Sequence, residues 1–261
     1  MEDIKKYLEN ADREIFTFDV IDSTNSYAKN IALNGAAHGT IVTADSQTSG
    51  RGRLGRNFFS PHGTSIYMTV ILRMNMTLEK AGMITPLAAV AASRAVDKLS
   101  GTDTRIKWVN DLYLNKKKFC GILAESIIAE NGMPKFSVLG IGLNVRSVKN
   151  IFPKELLETA TSIEDETGKI ISREKLTAEI INELDRLLPE LENCSFMEEY
   201  RKRSCVIGCY AQITKHGGKM AKICGISDSG ALIVEYDDKT TEKIDTGEAV
   251  ISKESLRAAW K

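Results

Sequence analysis

The residue types best suited to chemistry are concentrated in Gly50-Arg51-Gly52-Arg53-Leu54-Gly55-Arg56, which holds three arginines and three glycines in seven residues. Glycine lets a backbone turn sharply or approach a ligand closely. Successive free N–H groups in such a turn form an anion-binding concavity, and arginine adds a permanently charged fork that fits phosphate or carboxylate. The stretch reads as a loop that folds around an anion, against the plainer reading of an exposed basic turn. It lacks the Lys-Ser/Thr ending of a P-loop. Four other stretches carry ligand-handling groups. Ser23-Thr24-Asn25 is either an ordinary helix cap or a set of neutral donors and acceptors for a ligand carbonyl or amide. In Lys107-Trp108-Val109-Asn110-Asp111, the Asn-Asp pair is either a turn or a carboxylate and amide offered to a ribose, an amine or Mg²⁺. Among Lys116, Lys117 and Lys118, only Lys118 adjoins the next strand, where a lysine can neutralise a reacting phosphoryl group. Gly140 and Gly142 interrupt an apolar strand, which calls for a flat ligand or a closely packed strand against the backbone.

Those residues need elements to position them. The 261 residues are 43% hydrophobic and 27% charged, an ordinary globular balance. Lys plus Arg equals Asp plus Glu at 35 each, so no global field draws the chain to nucleic acid or membrane, and an anion preference must be local. No stretch of eighteen continuous apolar residues occurs, and the N-terminal residues have no signal-peptide pattern. Five cysteines in no regular framework point to a reducing cytoplasm, and Cys205, Cys209, His216 and Cys224 read as buried thiols and strand residues rather than a zinc site. Alternation predicts strands at Phe16–Val20, Thr40–Ala44, Ser65–Leu72, Cys120–Ile128 and Phe136–Val145, with short ones at Ile106–Trp108 and Leu112–Leu114. Helices are expected from Asn25 or Ser26 to Leu33, over Ala81–Leu99, over Ser172–Leu188 and over Phe196–Arg203. Hairpins mixed with helices indicate an α+β fold. After residue 205 four short β runs separated by Gly/Asp turns predict a small closed β domain, giving expected domains 1–205 and 206–261.

Taken in order, these motifs resemble the biotin–protein ligases: Asp22-Ser-Thr-Asn25, Gln47-x-x-Gly-Arg-Gly-Arg-x-Gly-Arg56, Lys107-Trp-x-Asn-Asp111, Lys118-x-x-Gly-Ile-Leu123 and Gly140-x-Gly-Leu-Asn144. The resemblance spans residues 16–261. It implies a mixed-sheet catalytic domain followed by an SH3-like β-barrel, of the enzyme-only type without an N-terminal DNA-binding domain. It implies biotin contacts from Ser23, Thr24, Asn25 and Gln47, and a ring and valeryl pocket walled by Tyr67, Gly121, Leu123 and Gly140. Gly50, Arg51, Arg53 and Arg56 would belong to the loop closing over biotin and the adenylate, with Arg51 and Arg53 on the carboxylate and phosphates. Phe58 stands where the family often has a tryptophan stacking near adenine. Lys107, Asn110 and Asp111 would form the nucleotide, metal and acceptor-lysine end, and Lys118 would contact the carboxylate and α-phosphate. Asn144 and Arg257 would reach the adenosine. Two departures stand out: Val109 replaces the usual proline of Lys-Trp-Pro-Asn-Asp, and Phe58 lacks an N–H donor. His62 matches no family role.

The implied activity is ATP-dependent activation of biotin as biotinyl-5′-AMP, with Mg²⁺, then transfer to a lysine of a biotin carboxyl carrier domain. Lys118, Arg51, Arg53 and Asp111 would be the catalytic groups and Asp111 the metal ligand. The resemblance implies no DNA or membrane partner and leaves a homodimer open. Competing readings are a lipoate or octanoate ligase or transferase, and a non-enzymatic protein that binds an anionic ligand or nucleic acid.

Overall fold

A computed structural model describes residues 4–245, 247, 249–252 and 254–256. The first sheet contains β1 (Ile15–Ile21), β2 (Ile41–Gln47), β3 (Ser65–Leu72), β4 (Arg105–Lys107), β5 (Asp111–Leu114), β6 (Lys117–Ile128) and β7 (Pro134–Asn144), in the spatial order β1-β2-β3-β7-β6-β5-β4. β1 and β2 are parallel and every other pair is antiparallel, so the sheet is mixed, in agreement with the α+β expectation. The helices are α1 (Thr24–Leu33), α2 (Leu78–Gly82), α3 (Ile84–Ser100), α4 (Lys154–Leu157), α5 (Ile163–Thr167), α6 (Arg173–Leu187) and α7 (Met197–Arg203).

Register decides where a ligand can sit. Tyr67, Thr69 and Ile71 of β3 lie opposite Gly142, Gly140 and Val138 of β7, which in turn face Gly121, Leu123 and Glu125 of β6. Side chains alternate across a strand, so these nine positions share one face. The intervening residues, including Met68, Val70, Ile122, Leu139 and Ile141, point into the main core, to which α3 and α6 contribute. On the first face α1 covers only one part, through Ala28 and Ala32 packed with Val42, Ile71, Phe136 and Val138. Its N-terminal turn reaches no further than Gly140, where a Cβ would stand 2.1 Å from Asn25 Oδ1. The remaining glycine-rich floor is not covered by α1; the Phe58 ring and Lys118 stand over it instead.

Local signals set the helix ends. Ser23 caps α1 by accepting from Ser26 N, and the helix ends at Asn34, before Gly35 with φ +98. Pro86 lies in the first turn of α3, where its missing N–H has no helical partner to lose, and Met83 occupies the cap. The segment 146–168, which periodicity leaves unassigned, folds as two short helices around Val148, Phe152 and Ala160.

The C-terminal sheet corrects an expectation. It contains β8 (Tyr210–Ile213), β9 (Lys219–Ile226), β10 (Leu232–Glu235), β11 (Thr241–Ile244) and β12 (Ala249–Ile251), in the order β11-β10-β9-β8-β12. Among the described residues β11 pairs only with β10 and β12 only with β8, so the sheet is open and no SH3-like barrel closes. Burial supplies the physical reason. Ala211, Ile213, Ile223, Leu232, Val234 and Ile244 are buried in the same apolar cluster as the first sheet and its helices, so this face is covered without a closed cylinder.

Candidate active site

The glycine-rich floor is the base of a cleft of about 470 Å³. Its back wall is the start of α1, its roof the arginine loop and its far end the β4–β5 turn, with β12 as a further wall. The loop is a hairpin: Phe58 N donates to Gly50 O (2.8 Å), Gly52 N to Arg56 O (2.7 Å), and Arg51 pairs with Asn57. Gly50 does not line the cleft. It lets the two arms meet, since a Cβ there would stand 2.4 Å from Phe58 O. Arg51, Arg53 and Arg56 all line the cleft. Arg51 Nη2 lies 3.3 Å from Glu125 Oε1. Arg53 Nη1 donates to Asn110 Oδ1 (2.9 Å), and burial draws its pKa down against the charge of Asp111.

Beneath the hairpin a chain of hydrogen bonds joins α1, β2 and β3. Gln47 Oε1 accepts from Thr24 N (2.9 Å), and Gln47 Nε2 donates to Ser60 Oγ (3.0 Å). The Thr69 hydroxyl lies 2.9 Å from Thr24 Oγ1 and 2.7 Å from Asn25 Oδ1. Asn25 Nδ2 donates to Glu125 Oε2 (3.0 Å). Ser23 therefore caps α1 and also lines the cleft, beside Thr24 and Asn25, the first two residues of the helix, so the cap and the cleft wall are the same stretch. Tyr67 is buried with its hydroxyl on Pro61 O (2.9 Å), and burial raises its pKa, so the wall presents a neutral phenol.

Phe58 lies directly on the glycine floor. A Cβ on Gly142 would stand 2.6 Å from its ring, and one on Gly121 would be 3.3 Å from the ring and 3.0 Å from Lys118 Nζ. Lys118 Nζ is 5.9 Å from the centre of that ring and 2.6 Å from Asp111 Oδ1, which takes no other donor among the described residues. The backbone of Lys118 is clamped on both sides: its N donates to Thr159 O and its O accepts from Thr161 N, each 2.9 Å. Lys107, Leu123 and Gly140 complete the expected lining, with Lys107 Nζ 5.7 Å from the Tyr113 ring centre. The turn forms with Val109 in place, its carbonyl taken by the buried Tyr200 hydroxyl (3.0 Å).

Two expected adenosine contacts are not placed in the cleft. Asn144 is buried behind it, accepting from Ser65 Oγ (3.0 Å) and donating to Thr161 O (2.9 Å). Arg257 lies outside the described residues. Conversely, Trp108, given no role by the sequence motifs, lines the cleft and donates Nε1 to Gly230 O (2.8 Å) of the C-terminal sheet. Ala249, Val250 and Ile251 of β12 also line it. Nothing in their own sequence marks them, because they enter the site only through the docking of two distant segments. Among the described residues the only metal-compatible cluster is Asp19, Asp45 and His62, outside the cleft, where Asp45 already pairs with Arg173 at 2.7 Å. No described helix is long and apolar enough to cross a membrane.

The Biotin/lipoate A/B protein ligase family model matches residues 17–144, and the Biotin protein ligase C terminal domain model matches residues 213–252. The bifunctional ligase/repressor BirA of Bacillus subtilis is 35% identical over 84% of this chain and 69% of its own length. This chain belongs to the biotin/lipoate A/B protein ligase family. The biotin–[acetyl-CoA-carboxylase] ligase of Mycobacterium tuberculosis is 28% identical over 85% of this chain and 84% of its own. The biotin protein ligase of Aquifex aeolicus, solved with biotin and ATP, superposes with a TM-score of 0.78 at 24% identity over 92% of this chain and 98% of its own, a likeness in fold. Both family models fall on the sheets described above, the first ending at the last residue of β7.

Proposed function

We propose that this chain condenses biotin with ATP to biotinyl-5′-AMP and passes the biotinyl group to a lysine on a biotin carboxyl carrier domain. The observation that carries this reading is the cleft itself. Its lining is divided almost evenly between polar and apolar groups, which suits a ligand that joins a fused ring and valeryl chain to a charged end, and Arg51, Arg53 and Lys118 all line it to meet a carboxylate and a phosphate. The relatives named above are ligases of this type. The catalytic part would be residues 1–205 and the C-terminal part 206–261, which adds one cleft wall.

In the first step a biotin carboxylate oxygen attacks the α-phosphorus, and the bond from that phosphorus to the bridging oxygen of pyrophosphate breaks. Two anions must approach each other, and Arg51, Arg53 and Lys118 offset the repulsion and stabilise charge on the phosphoryl oxygens. Thr24, Asn25 and Gln47 supply the donors and acceptors at the ureido end. A Mg²⁺ is compatible with Asp111, because such ions take one or two carboxylates plus substrate phosphates, and it would supply further charge neutralisation. In the second step the ε-nitrogen of the acceptor lysine attacks the acyl carbon. The carbon–oxygen bond to AMP breaks, and the amine gives up a proton, with Asp111 placed to orient it. The hairpin would shield the anhydride from water between steps.

ATP–pyrophosphate exchange measured separately with biotin, lipoate and octanoate tests the reading. Exchange that depends on biotin is expected. Exchange with lipoate instead would move the function to the sister branch of the family, and none with any acid would leave only binding.

A further inference from the structure

Glu125 lies on the same sheet face as the glycine floor, at the boundary between the part α1 covers and the open cleft. Its carboxylate is divided among three partners. Oε2 accepts from Asn25 Nδ2 at 3.0 Å. Oε1 is shared by two cations, Lys29 Nζ of α1 at 2.6 Å and Arg51 Nη2 of the hairpin at 3.3 Å. Burial alone would raise the pKa of this carboxyl, but the hydrogen bonds from Lys29 and Asn25, with the charges of Lys29 and Arg51, bring it below its ordinary value, so it stays charged. Arg51 is about half exposed, while the Lys29 and Glu125 side chains are mostly covered. The long, exposed contact is the one that can break.

We propose that Glu125 is a positioning residue that acts through Arg51, holding the hairpin arginine as an internal counter-anion until the substrate acid takes it over, and that Lys29 sets the strength of that hold. This rests on the ligase reading given above. The chemistry is a competition between two carboxylates for one guanidinium. If Arg51 left a largely covered glutamate with no other cation, an uncompensated charge would remain and the transfer would be costly. Lys29, already the nearer partner of the same oxygen, removes that cost. It also weakens the hold, because Oε1 divides its attraction between two donors. Ligand affinity then follows the fraction of molecules with a free Arg51.

The two partners therefore have opposite effects. Glu125→Gln keeps an acceptor for Asn25 and removes the negative charge, which frees Arg51. Biotin dissociation constants should fall by about three- to tenfold. Lys29→Met leaves Arg51 as the sole cation on Oε1, and the constant should rise by a similar factor. The double variant should behave like Glu125→Gln. In parallel, trypsin cleavage after Arg51, Arg53 and Arg56 without ligand, followed by mass spectrometry, should be faster for Glu125→Gln and slower for Lys29→Met than for the unaltered chain. A purely structural role for Glu125 would weaken binding in both single variants. Shifts of the same sign, or no shift in either measurement, overturn the proposal. If the unaltered chain binds no biotin, the ligase reading fails instead, and the ligand-free cleavage rates still decide whether Glu125 holds the hairpin.

Discussion

Lys118 shows how much one side chain owes to its neighbours. Its ammonium is held by Asp111 at 2.6 Å and stands above an aromatic ring, at a spot that stays open because residue 121 has no Cβ. In that setting a lysine is an aimed charge rather than a solvated one. Replacing it with alanine should slow pyrophosphate release by about a hundredfold or more while changing biotin affinity far less, since the contact matters most when charge develops at phosphorus. Single-turnover release alongside equilibrium biotin titration checks this, and an unchanged rate would remove Lys118 from the chemistry. At this scale the sequence was informative about residue type and poor about neighbours. Phe58 could be placed in the loop, but nothing in Asn57-Phe58-Phe59 says that the first ring turns down onto Gly142 while the second packs edge-on against Phe152, 5.3 Å between centres.

Among the elements, the stretch from Arg146 to Gly168 has the least sequence pattern and a central structural task. Thr159 and Thr161 clamp the backbone of Lys118 on both sides. The stretch is tied down by Asp165, whose carboxylate accepts from Ser147 Oγ (2.7 Å), Val148 N (2.9 Å) and Ser162 Oγ (2.8 Å). Burial opposes the charge of Asp165, but these donors and Lys149 outweigh it and hold its pKa below the usual aspartate value. A carboxyl with a depressed folded pKa stabilises above its unfolded value and loses that contribution as pH falls through the folded one. The clamp should therefore loosen as pH falls below about 4. At neutral pH Asp165→Asn should mimic that loosening at a cost of about 2 kcal/mol. Hydrogen exchange at the Lys118 and Thr161 amides, corrected for intrinsic rates, reads both effects. Protection that is unchanged in the variant would disconnect Asp165 from the site. The strands and long helices were legible because their apolar periods repeat over many residues. The clamp was not, because its order comes from caps and carboxylate bonds between residues that carry no period.

At the scale of the whole molecule, the cleft is complete only where the C-terminal sheet meets the first. Trp108 donates across that junction to Gly230 O, and Arg201 binds Asp228 and Ile226 O beside it. The open sheet thereby presents Ala249–Ile251 to the cleft. Trp108→Phe keeps an aromatic ring, though a smaller one, and removes the donor. It should lower global stability by about 1 kcal/mol and weaken ATP binding several-fold while leaving biotin binding nearly intact. Denaturant unfolding and calorimetric titration of each ligand test this. Equal losses for both ligands would mean that the tryptophan shapes the floor rather than the junction.

The sequence by itself determined the mixed α+β character, the change of texture near residue 205 and most of the groups that line the cleft. Period, turn residues and motif spacing are local properties, and they survive in the folded chain. Only the tertiary structure decided that the second sheet stays open, that Asn144 turns away from the cleft, that β12 and Trp108 wall it, and that Glu125 shares one oxygen between Lys29 and Arg51. Each of these depends on which distant surfaces meet and which charges remain to be paired, and those partners are separated by dozens of residues along the chain.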